Sequence, residues 1–377
     1  MLALDTERLV LEYIHRAAAA GAVAANYLEV TSIDEAGDHY RVRMLDHRTG
    51  TGIRARSRFV VNAAGPWFAG SVFPGTDRER SRSWALAVNL VTPKQFFPGC
   101  GVALEGEQGY RDADALVKRD KRLFFFVPWR GHTMIGTLYE PWPHGPDRLR
   151  VEPAILQRMI DGINAIHPAA RLGMNDISFY HAGLLPMRGG QADGGVQLEK
   201  ESALVTPGEG EAKRLLSVRS VKYTTAPVVA REAVALLQRR LPPSVSPVPM
   251  EQTRSSDDRE VPETLRLRYG PRAGRVGRYE EGEPDPWIDR RNGISRAEIR
   301  YLVAEEMAWR LEDIVFRRTG MGTAACPERE TLSRAAACMG ELLGWDAERR
   351  AGEVRRVLRR YAPLPCGDDG GKKEETR

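Results

Sequence analysis

The segment Arg219–Pro227, with the sequence RSVKYTTAP, constrains this chain more than any other stretch. An apolar, strand-like run precedes it, and a helical pattern over Val228–Leu237 follows it. Thr225 is a residue type that caps helix N-termini, and Pro227 is tolerated in a first turn, where its missing N–H leaves no bond unmade. The sequence therefore predicts a strand that runs into a helix N-terminus, with Lys222 at the junction.

A junction of this kind has a positive electrostatic potential, because the lysine ammonium lies beside the positive end of the helix dipole and its unpaired N–H groups. Such a site suits an anion, or a ring that becomes anionic when it is reduced, such as a flavin. An ordinary strand–helix junction with a solvated lysine has the same local pattern. Other segments are needed to choose between the two interpretations.

The composition is that of a soluble globular chain with no nucleic-acid-binding surface. Its 377 residues suffice for one large or two ordinary domains, and 42% hydrophobic and 28% charged residues are normal values. The 56 basic and 51 acidic residues are mixed along the chain, which argues against nucleic acid as a partner. Because no apolar run approaches the ~20 residues that span a bilayer, any membrane association is expected to be peripheral.

The cysteines and histidines predict no metal centre and no disulfide framework. Cys100, Cys326, Cys338 and Cys366 are far apart, and the sequence has no CxxC, HxxxH or HExxH arrangement. We therefore expect a reduced chain in the cytoplasm, or one held peripherally at the inner face of the cell membrane, with no metal site.

Hydrophobic periodicity divides the chain into a mixed α/β part and a helical part. Residues 1–240 alternate strand and helix patterns, with an interleaved block of strands around 84–190. Residues 241–259 are rich in Pro, Ser and charge, which is typical of a linker. Helical patterns dominate 260–365, and the glycine-rich, charged residues 366–377 predict a disordered tail.

Some individual elements are predicted within these parts. Ile53–Val61 has a strand pattern, and Ser295–Glu298 is a capping box ahead of a helical pattern that extends to Ile314. The adjacent acidic residues Glu305 and Glu306 are predicted to lie on the surface of that helix. We therefore expect no paired-carboxylate acid/base site there.

Three further motifs bear on ligand binding. Phe59–Trp67 is a buried-strand pattern that ends in small residues and a proline turn. Small residues at the carboxyl end of a strand let a flat ligand approach the backbone, although a plain tight turn has the same pattern. Gly320–Ala325 matches GxGxxG/A formally but follows a helix rather than a strand, so we reject it as a nucleotide-binding loop. Arg188 is a candidate anion ligand after the apolar stretch Ala182–Met187.

Taken in chain order, these segments resemble the FAD-dependent glycerol-3-phosphate dehydrogenase family, within the D-amino-acid-oxidase-like flavoproteins. The resemblance covers most of residues 1–325 and rests on NAAGPW, RLFFFVPWRGHTMIGT, AGLLPM, VKYTTAPVVAREAV and EIRYLVAEEMAWRLEDIVFRRT. It implies an α/β (α+β) FAD-binding domain with an interleaved antiparallel substrate-binding sheet, followed by an all-α C-terminal domain.

The resemblance also implies a site and a reaction. The residues expected to line FAD are Asn62, Ala64, Gly65, Pro66, Trp67, Lys222, Thr224 and Thr225. Lys222 and Arg188 are the candidates for a catalytic or phosphate-binding role. The implied reaction moves a hydride from C2 of a polyol phosphate, glycerol 3-phosphate, to the flavin and yields dihydroxyacetone phosphate. A quinone or another acceptor would then take the electrons.

Two departures from the family pattern leave the function open. The family's N-terminal strand–GxGxxG–helix unit, which holds the ADP half of FAD, is not in this sequence, which fits a misassigned start, a gene fragment or a deliberate loss. We therefore expect poor FAD binding or marginal folding. Leu185 stands where the family has a phosphate-binding Arg, and Ser220–Val221 replaces its Gly-Gly; Arg188 or Lys200 are the residues that could compensate.

Two alternative functions follow from these departures. One is a related flavoprotein that oxidises a C–N bond, against which the helical C-terminal segment argues. The other is a cofactor-free remnant that only binds partners or is inactive.

Overall fold

The computed structural model describes residues 5–67, 83–106, 122–188, 196–206, 214–239 and 261–364. The predicted linker 241–259 and the predicted tail 366–377 lie outside the described residues. The strands are β1 (Leu28–Ala36), β2 (His39–Asp46), β3 (Thr51–Ser57), β4 (Val60–Asn62), β5 (Trp84–Thr92), β6 (Val102–Gly106), β7 (Arg122–Trp129), β8 (His132–Trp142), β9 (Phe179–Pro186), β10 (Ala203–Val205), β11 (Leu215–Arg219), β12 (Trp287–Asp289) and β13 (Ile294–Ser295). The α-helices are α1 (Thr6–Ala19), α2 (Pro153–Ile166), α3 (Ala226–Gln238), α4 (Glu263–Tyr269), α5 (Ala273–Val276), α6 (Arg296–Glu305), α7 (Arg329–Leu343) and α8 (Ala347–Arg359).

A five-stranded antiparallel sheet in the order β6-β7-β8-β5-β9 forms the middle of the molecule. The apolar stripe of α2 packs against its strands, which removes both surfaces from water. The fully buried members of this core include Leu86, Leu90, Phe126, Ile135, Leu156 and Met159. The predicted antiparallel sheet within the first part of the chain is confirmed.

Two three-stranded sheets complete the first part of the chain. β1, β2 and β3 form an antiparallel meander, and β10, β11 and β4 form a separate sheet in that order. The strand predicted over Ile53–Val61 is therefore wrong as a single element. The chain leaves the meander after Ser57, and β4 pairs with β11 instead. The two sheets share a small core in which Ile33 and Tyr40 meet Leu215.

The C-terminal part is mainly helical and has its own apolar core, as the sequence predicts. The prediction of an all-α part is wrong in one respect, because β12 and β13 form a two-stranded antiparallel sheet there. Ser295 accepts a hydrogen bond from the Glu298 N–H (3.1 Å), which caps α6. The Glu298 side chain does not complete the capping box, because it is buried and accepts from the Tyr269 hydroxyl (2.6 Å). The helical pattern up to Ile314 is also broken: α6 ends at Glu305, and Asp313–Arg318 forms a π-helix.

A buried ion cluster joins α1 to the helical part. Glu306 is 1% exposed, and its carboxylate receives two hydrogen bonds from Arg8 (2.6 and 3.1 Å) and lies 3.3 Å from His15 Nε2. The prediction of a surface position is therefore wrong for Glu306, while Glu305 is exposed. Burial alone would raise the pKa of Glu306, but hydrogen bonds from His15 and Arg8 and the charge of Arg8 lower it to about 2.

This pKa makes the fold sensitive to acid. The unfolded pKa is near 4.5 and the folded value is about 2, so the Glu306 carboxylate stabilises the fold at pH values above 4.5. That contribution of about 3 kcal/mol disappears as the pH falls from 4.5 to 2. We expect Glu306→Gln to lower the free energy of unfolding most at neutral pH and least near pH 2, as measured by urea unfolding. Glu305→Gln is the control, and an equal effect of both variants at all pH values would contradict the role of Glu306.

Two glycines should respond in opposite ways to the same substitution. A Cβ on Gly322 would overlap the side chains of Val315 and Tyr361, and Gly322 does not have a positive φ. We expect Gly322→Ala to destabilise the protein by about 1–3 kcal/mol through overpacking. In α8, a Cβ on Gly352 would lie 3.8 Å from the nearest other side chain. Gly352→Ala should therefore stabilise by about 0.5–1 kcal/mol. Denaturant unfolding of both variants measures the two signs, and a stabilising Gly322→Ala would contradict the packing.

Candidate flavin and substrate site

The two sequence segments singled out for a ligand are brought together by one parallel strand pair. β4 and β11 run parallel, with Leu215 opposite Val60 and Ser217 opposite Asn62. Because parallel strands end at the same edge, the turn after Asn62 and the turn before α3 emerge side by side. The carboxyl edge of a parallel pair is where α/β sheets bind ligands.

Asn62 holds this edge together. Its side chain is 2% exposed, its Nδ2 donates to Ser217 Oγ (3.2 Å), and its Oδ1 accepts from the Ala64 N–H (3.2 Å). The first bond ties β4 to β11 and the second bends the chain out of β4. The buried Asn62 amide therefore fixes both the pairing of β4 with β11 and the direction in which the turn leaves β4.

The turn itself leaves the backbone accessible. Ala63, Ala64 and Gly65 are exposed, Gly65 has φ +57°, and no heavy atom lies within 4 Å of the place where a Cβ would stand. Pro66 is half-buried, and Trp67 is 49% exposed while its Nε1 donates to Asp147 Oδ1 (2.6 Å). The open backbone and the fixed indole suit the approach of a flat ring.

The second segment borders the same edge. Lys222, Tyr223 and Thr224 are exposed, and a 3-10 turn over Tyr223–Thr225 leads into α3. The predicted side-chain cap is wrong: Thr225 has helical dihedral angles, and its hydroxyl donates to the Lys222 carbonyl (3.1 Å) instead of accepting from the helix. The helix N-terminus and Lys222 nevertheless lie where the sequence places them.

The five-stranded sheet reaches this edge through β9, which contacts the turn Gly65–Trp67. Leu185 on β9 is half-buried and pairs with Ala85 of β5, so the position of the family's Arg carries no charge. Arg188, just beyond β9, pairs with Glu199 (3.2 Å).

Glu199 also lies 3.8 Å from Arg219, the last residue of β11. Both partners are well buried, with side chains 11% and 12% exposed. Glu199 thus links the end of the five-stranded sheet to the strand that leads to Lys222. Sequence reasoning missed Glu199 because the segment QLEKE looks like ordinary surface, and it named Arg219 only as the first residue of the segment before α3. Lys200, beside Glu199, is half-buried.

Two cavities lie where the five-stranded sheet meets the helical part. One of about 300 Å³ is lined by residues that include Arg130, Asp289 and Arg334. The other, of about 260 Å³, includes His181, whose Nε2 donates to the Thr323 carbonyl (3.1 Å). Burial lowers the pKa of His181. Neither cavity includes a residue predicted to line a cofactor.

The formal GxGxxA match over Gly320–Ala325 is structural. It follows the π-helix, and the Tyr361 hydroxyl donates to the Gly322 carbonyl inside the helical core (2.7 Å). As the sequence predicts, the segment follows a helix rather than a strand.

A match to a family model identifies the protein family of this chain. Residues 2–236 match the family model described as FAD dependent oxidoreductase. This chain belongs to that family. Residues 229–350 match the C-terminal domain of alpha-glycerophosphate oxidase, in agreement with the resemblance noted in the sequence. FAD is accordingly the cofactor of the family.

Curated relatives agree with the family. The chain is 27% identical over 378 residues to a glycerol-3-phosphate dehydrogenase of Mycobacterium leprae, covering 92% of this chain and 60% of the relative. It is 28% identical over 312 residues to a glycerol-3-phosphate dehydrogenase of Pseudomonas aeruginosa, covering 76% and 58%. The chain thus spans about three fifths of the length of these relatives.

A solved structure has the same fold. The glycerol-3-phosphate dehydrogenase from Bacillus halodurans, complexed with FAD, superposes with a TM-score of 0.70 at 22% identity, over 95% of this chain and 73% of that one. The likeness confirms the predicted fold class, with its antiparallel sheet and helical C-terminal part.

The structure also bears on metal ligands, membrane-spanning helices and the state of the cysteines. The described residues contain no cluster of three or more potential metal ligands. In the same residues no helix is long and apolar enough to cross a membrane. The prediction of reduced cysteines is wrong at Cys326, which is disulfide-bonded, while Cys100 and Cys338 are free.

The Asn62–Ser217 bond should be measurable as a coupling energy. We expect Asn62→Ala to cost about 1–3 kcal/mol of unfolding free energy, because it also leaves the Ala64 N–H without its acceptor. Ser217→Ala removes one hydroxyl partner and should cost less. A double-mutant cycle by urea unfolding should give a coupling of about 0.5–1.5 kcal/mol. Strict additivity of the two substitutions would contradict the bridge between β4 and β11.

Proposed function

We propose that this chain is the flavin-facing and substrate-facing part of a dehydrogenase that oxidises a polyol phosphate, with glycerol 3-phosphate as the substrate and dihydroxyacetone phosphate as the product. The observation that carries the proposal is the parallel pairing of β4 with β11, which gathers Asn62–Trp67 and Lys222–Thr225 at one edge. FAD, when bound there, supplies the hydride acceptor.

The residues at this edge fit the ring end of FAD. The open backbone of Ala63–Gly65 allows close approach, and exposed apolar side chains at Trp67, Tyr223 and Val228 offer contact surface. We assign Asn62, Ala64, Gly65, Pro66, Trp67, Lys222, Thr224 and Thr225 to the cofactor's surroundings. The described residues contain no glycine-rich cradle for a pyrophosphate, so the fit concerns the ring end alone.

Lys222 supplies positive charge at the same edge. Its ammonium and the N-terminus of α3 favour the anionic form of the reduced ring, which lowers the free energy of the reduced state. A base that removes the hydroxyl proton is not assigned, since the half-buried His181 lines a separate cavity and is bonded to the Thr323 carbonyl.

Phosphate recognition is the part of the proposed site that departs from the family motif. Leu185 offers no charge, and Arg188 is engaged by Glu199. A substrate phosphate would have to compete with Glu199 for Arg188, or bind Lys222 alone. We therefore expect weaker phosphate selectivity than a bidentate Arg would give.

The remaining assignments are part of the same proposal. Residues 1–240 would form the oxidoreductase domain with its substrate sheet, and 260–365 the helical domain. A quinone or another acceptor would reoxidise the flavin, in the cytoplasm or at the inner face of the membrane. The match to the C-terminal domain of alpha-glycerophosphate oxidase disfavours a flavoprotein that oxidises C–N bonds.

Lys222 gives the sharpest functional test. We expect Lys222→Gln to lower the kcat/KM of glycerol 3-phosphate-dependent dye reduction by roughly tenfold to a hundredfold, because it removes the positive charge beside the ring. Lys222→Arg keeps the charge and should retain most of the activity.

The same assay tests the substrate. Glycerol 3-phosphate should be turned over faster than glycerol by the FAD-loaded chain. Equal rates would contradict phosphate recognition, and failure of the purified chain to bind FAD in a fluorescence titration would favour the cofactor-free remnant.

A further inference from the structure

A cavity of about 260 Å³ lies along the outermost strand of the five-stranded sheet. β9 is the last strand in the order β6-β7-β8-β5-β9, and its residues 179–182 form one wall. The other walls include the segment before α2, the π-helix Asp313–Arg318 and the end of α8. A cavity of this size suits a molecule with a single ring and is too small for a dinucleotide.

Aromatic side chains line this cavity. Phe179 of β9 and Phe316 of the π-helix are stacked nearly parallel, with ring centroids 6.0 Å apart and an interplanar angle of 17°. Phe179 also meets the His181 ring edge to face, at 5.0 Å and 83°. Both phenylalanines are half-buried, so part of each side chain stays accessible. Walls of this kind favour a flat aromatic ring, which can stack on one ring and meet another edge to face.

Three arginines from separate elements give the cavity positive charge. Arg150 precedes α2, Arg317 belongs to the π-helix and Arg360 follows α8. Their ion pairs, at 2.6, 3.1 and 3.6 Å, go to carboxylates that do not line the cavity, and their side chains are 79%, 42% and 63% exposed. Exposed pairs of this kind contribute little free energy, so a bound anion can recruit these guanidinium groups at small cost. Among the described residues of the wall, Glu7 is the only carboxylate, and the wall therefore favours an anion.

His181 adds a hydrogen-bond acceptor to the wall. Its Nε2 lies 3.1 Å from the Thr323 carbonyl oxygen. Because a carbonyl can only accept, Nε2 carries the proton of the neutral ring and Nδ1 is left as an acceptor. Burial lowers the pKa of His181, which keeps the ring neutral at pH 7. Within the described part of the chain Nδ1 makes no hydrogen bond, so a ligand that brings a hydroxyl group can donate to it.

These three features together select one chemical class of ligand. An anionic group suits the arginines, a planar ring suits the phenylalanines, and a hydroxyl group suits His181 Nδ1. A polyol phosphate has the anion and the hydroxyl groups but no ring, and an uncharged arene offers the arginines no anion. An aromatic carboxylate with a hydroxyl group on its ring has all three.

We propose that the cavity between β9, the π-helix and the end of α8 binds a hydroxylated aromatic acid with a single ring. The carboxylate pairs with Arg150 and Arg360. The ring packs against Phe179 and Phe316, and the hydroxyl group donates to His181 Nδ1. Because the walls come from both the sheet and the helical part, the bound acid links these two parts. Binding does not depend on the reaction proposed for the flavin edge.

Isothermal titration calorimetry of the full chain with 4-hydroxybenzoate tests the site. We expect wild-type protein to bind one molecule per chain. Arg150→Gln/Arg360→Gln should weaken binding by about tenfold, because two charged partners of the carboxylate are lost. Arg355→Gln/Arg359→Gln is the control, since it removes the same charge from exposed positions of α8 that do not line the cavity. Its affinity should stay within about twofold of wild type.

A second variant blocks the cavity without changing its charge. Ala182 is exposed on β9 and lines the cavity. Ala182→Phe should abolish binding of 4-hydroxybenzoate and leave the Tm of the protein unchanged. With wild-type protein, 4-hydroxybenzyl alcohol keeps the ring and the hydroxyl group but has no charge, and it should bind about tenfold more weakly than the acid.

The contrary results are equally specific. The proposal is overturned if wild-type protein does not bind 4-hydroxybenzoate at millimolar concentration, or if both double variants weaken binding equally. Unchanged affinity in Ala182→Phe would also contradict it. Displacement of 4-hydroxybenzoate by an equal concentration of glycerol 3-phosphate would overturn it as well, and would assign the cavity to a polyol phosphate.

Discussion

The parallel pairing of β4 with β11 is the constraint on which the candidate site depends. The two strands are far apart in the chain, yet three consecutive residue pairs set their register and the buried Asn62–Ser217 bond closes its carboxyl end. An amide buried without this partner would cost free energy, so the bond also penalises other registers. The open turn at Ala63–Gly65 and the entry to α3 occupy one edge only because of this pairing.

Buried ion pairs fix the positions of the neighbouring elements relative to one another. Glu199 joins the end of β9 to the end of β11, and Glu306 joins α1 to the helical part. Removing one partner of such a buried pair is costly, because the other charge is left buried and uncompensated, which makes these pairs suitable for fixing relative positions. The five-stranded sheet, the parallel pair β4–β11 and the helical part are thus held by contacts that tolerate few alternatives.

Local patterns were enough to predict much of this structure. The small residues after β4, the lysine before α3 and the apolar stripe of α2 each have signals within a few neighbouring residues. Burial of Glu306 could not be predicted, because its partner Arg8 lies 298 positions away. The Thr225 cap failed for a different reason: a threonine at a helix start can bond backward or forward, and the 3-10 turn at Tyr223–Thr225 selects the backward bond.

Hydrogen–deuterium exchange with and without FAD tests the central claim most directly, because it locates the ligand without assuming any activity. Protection on FAD addition should be concentrated in two peptides, one containing Asn62–Trp67 and one containing Lys222–Val228. Protection confined to peptides around Arg130 or His181, with these two peptides unchanged, would contradict the proposal that the ring end of FAD binds at the carboxyl edge of β4 and β11.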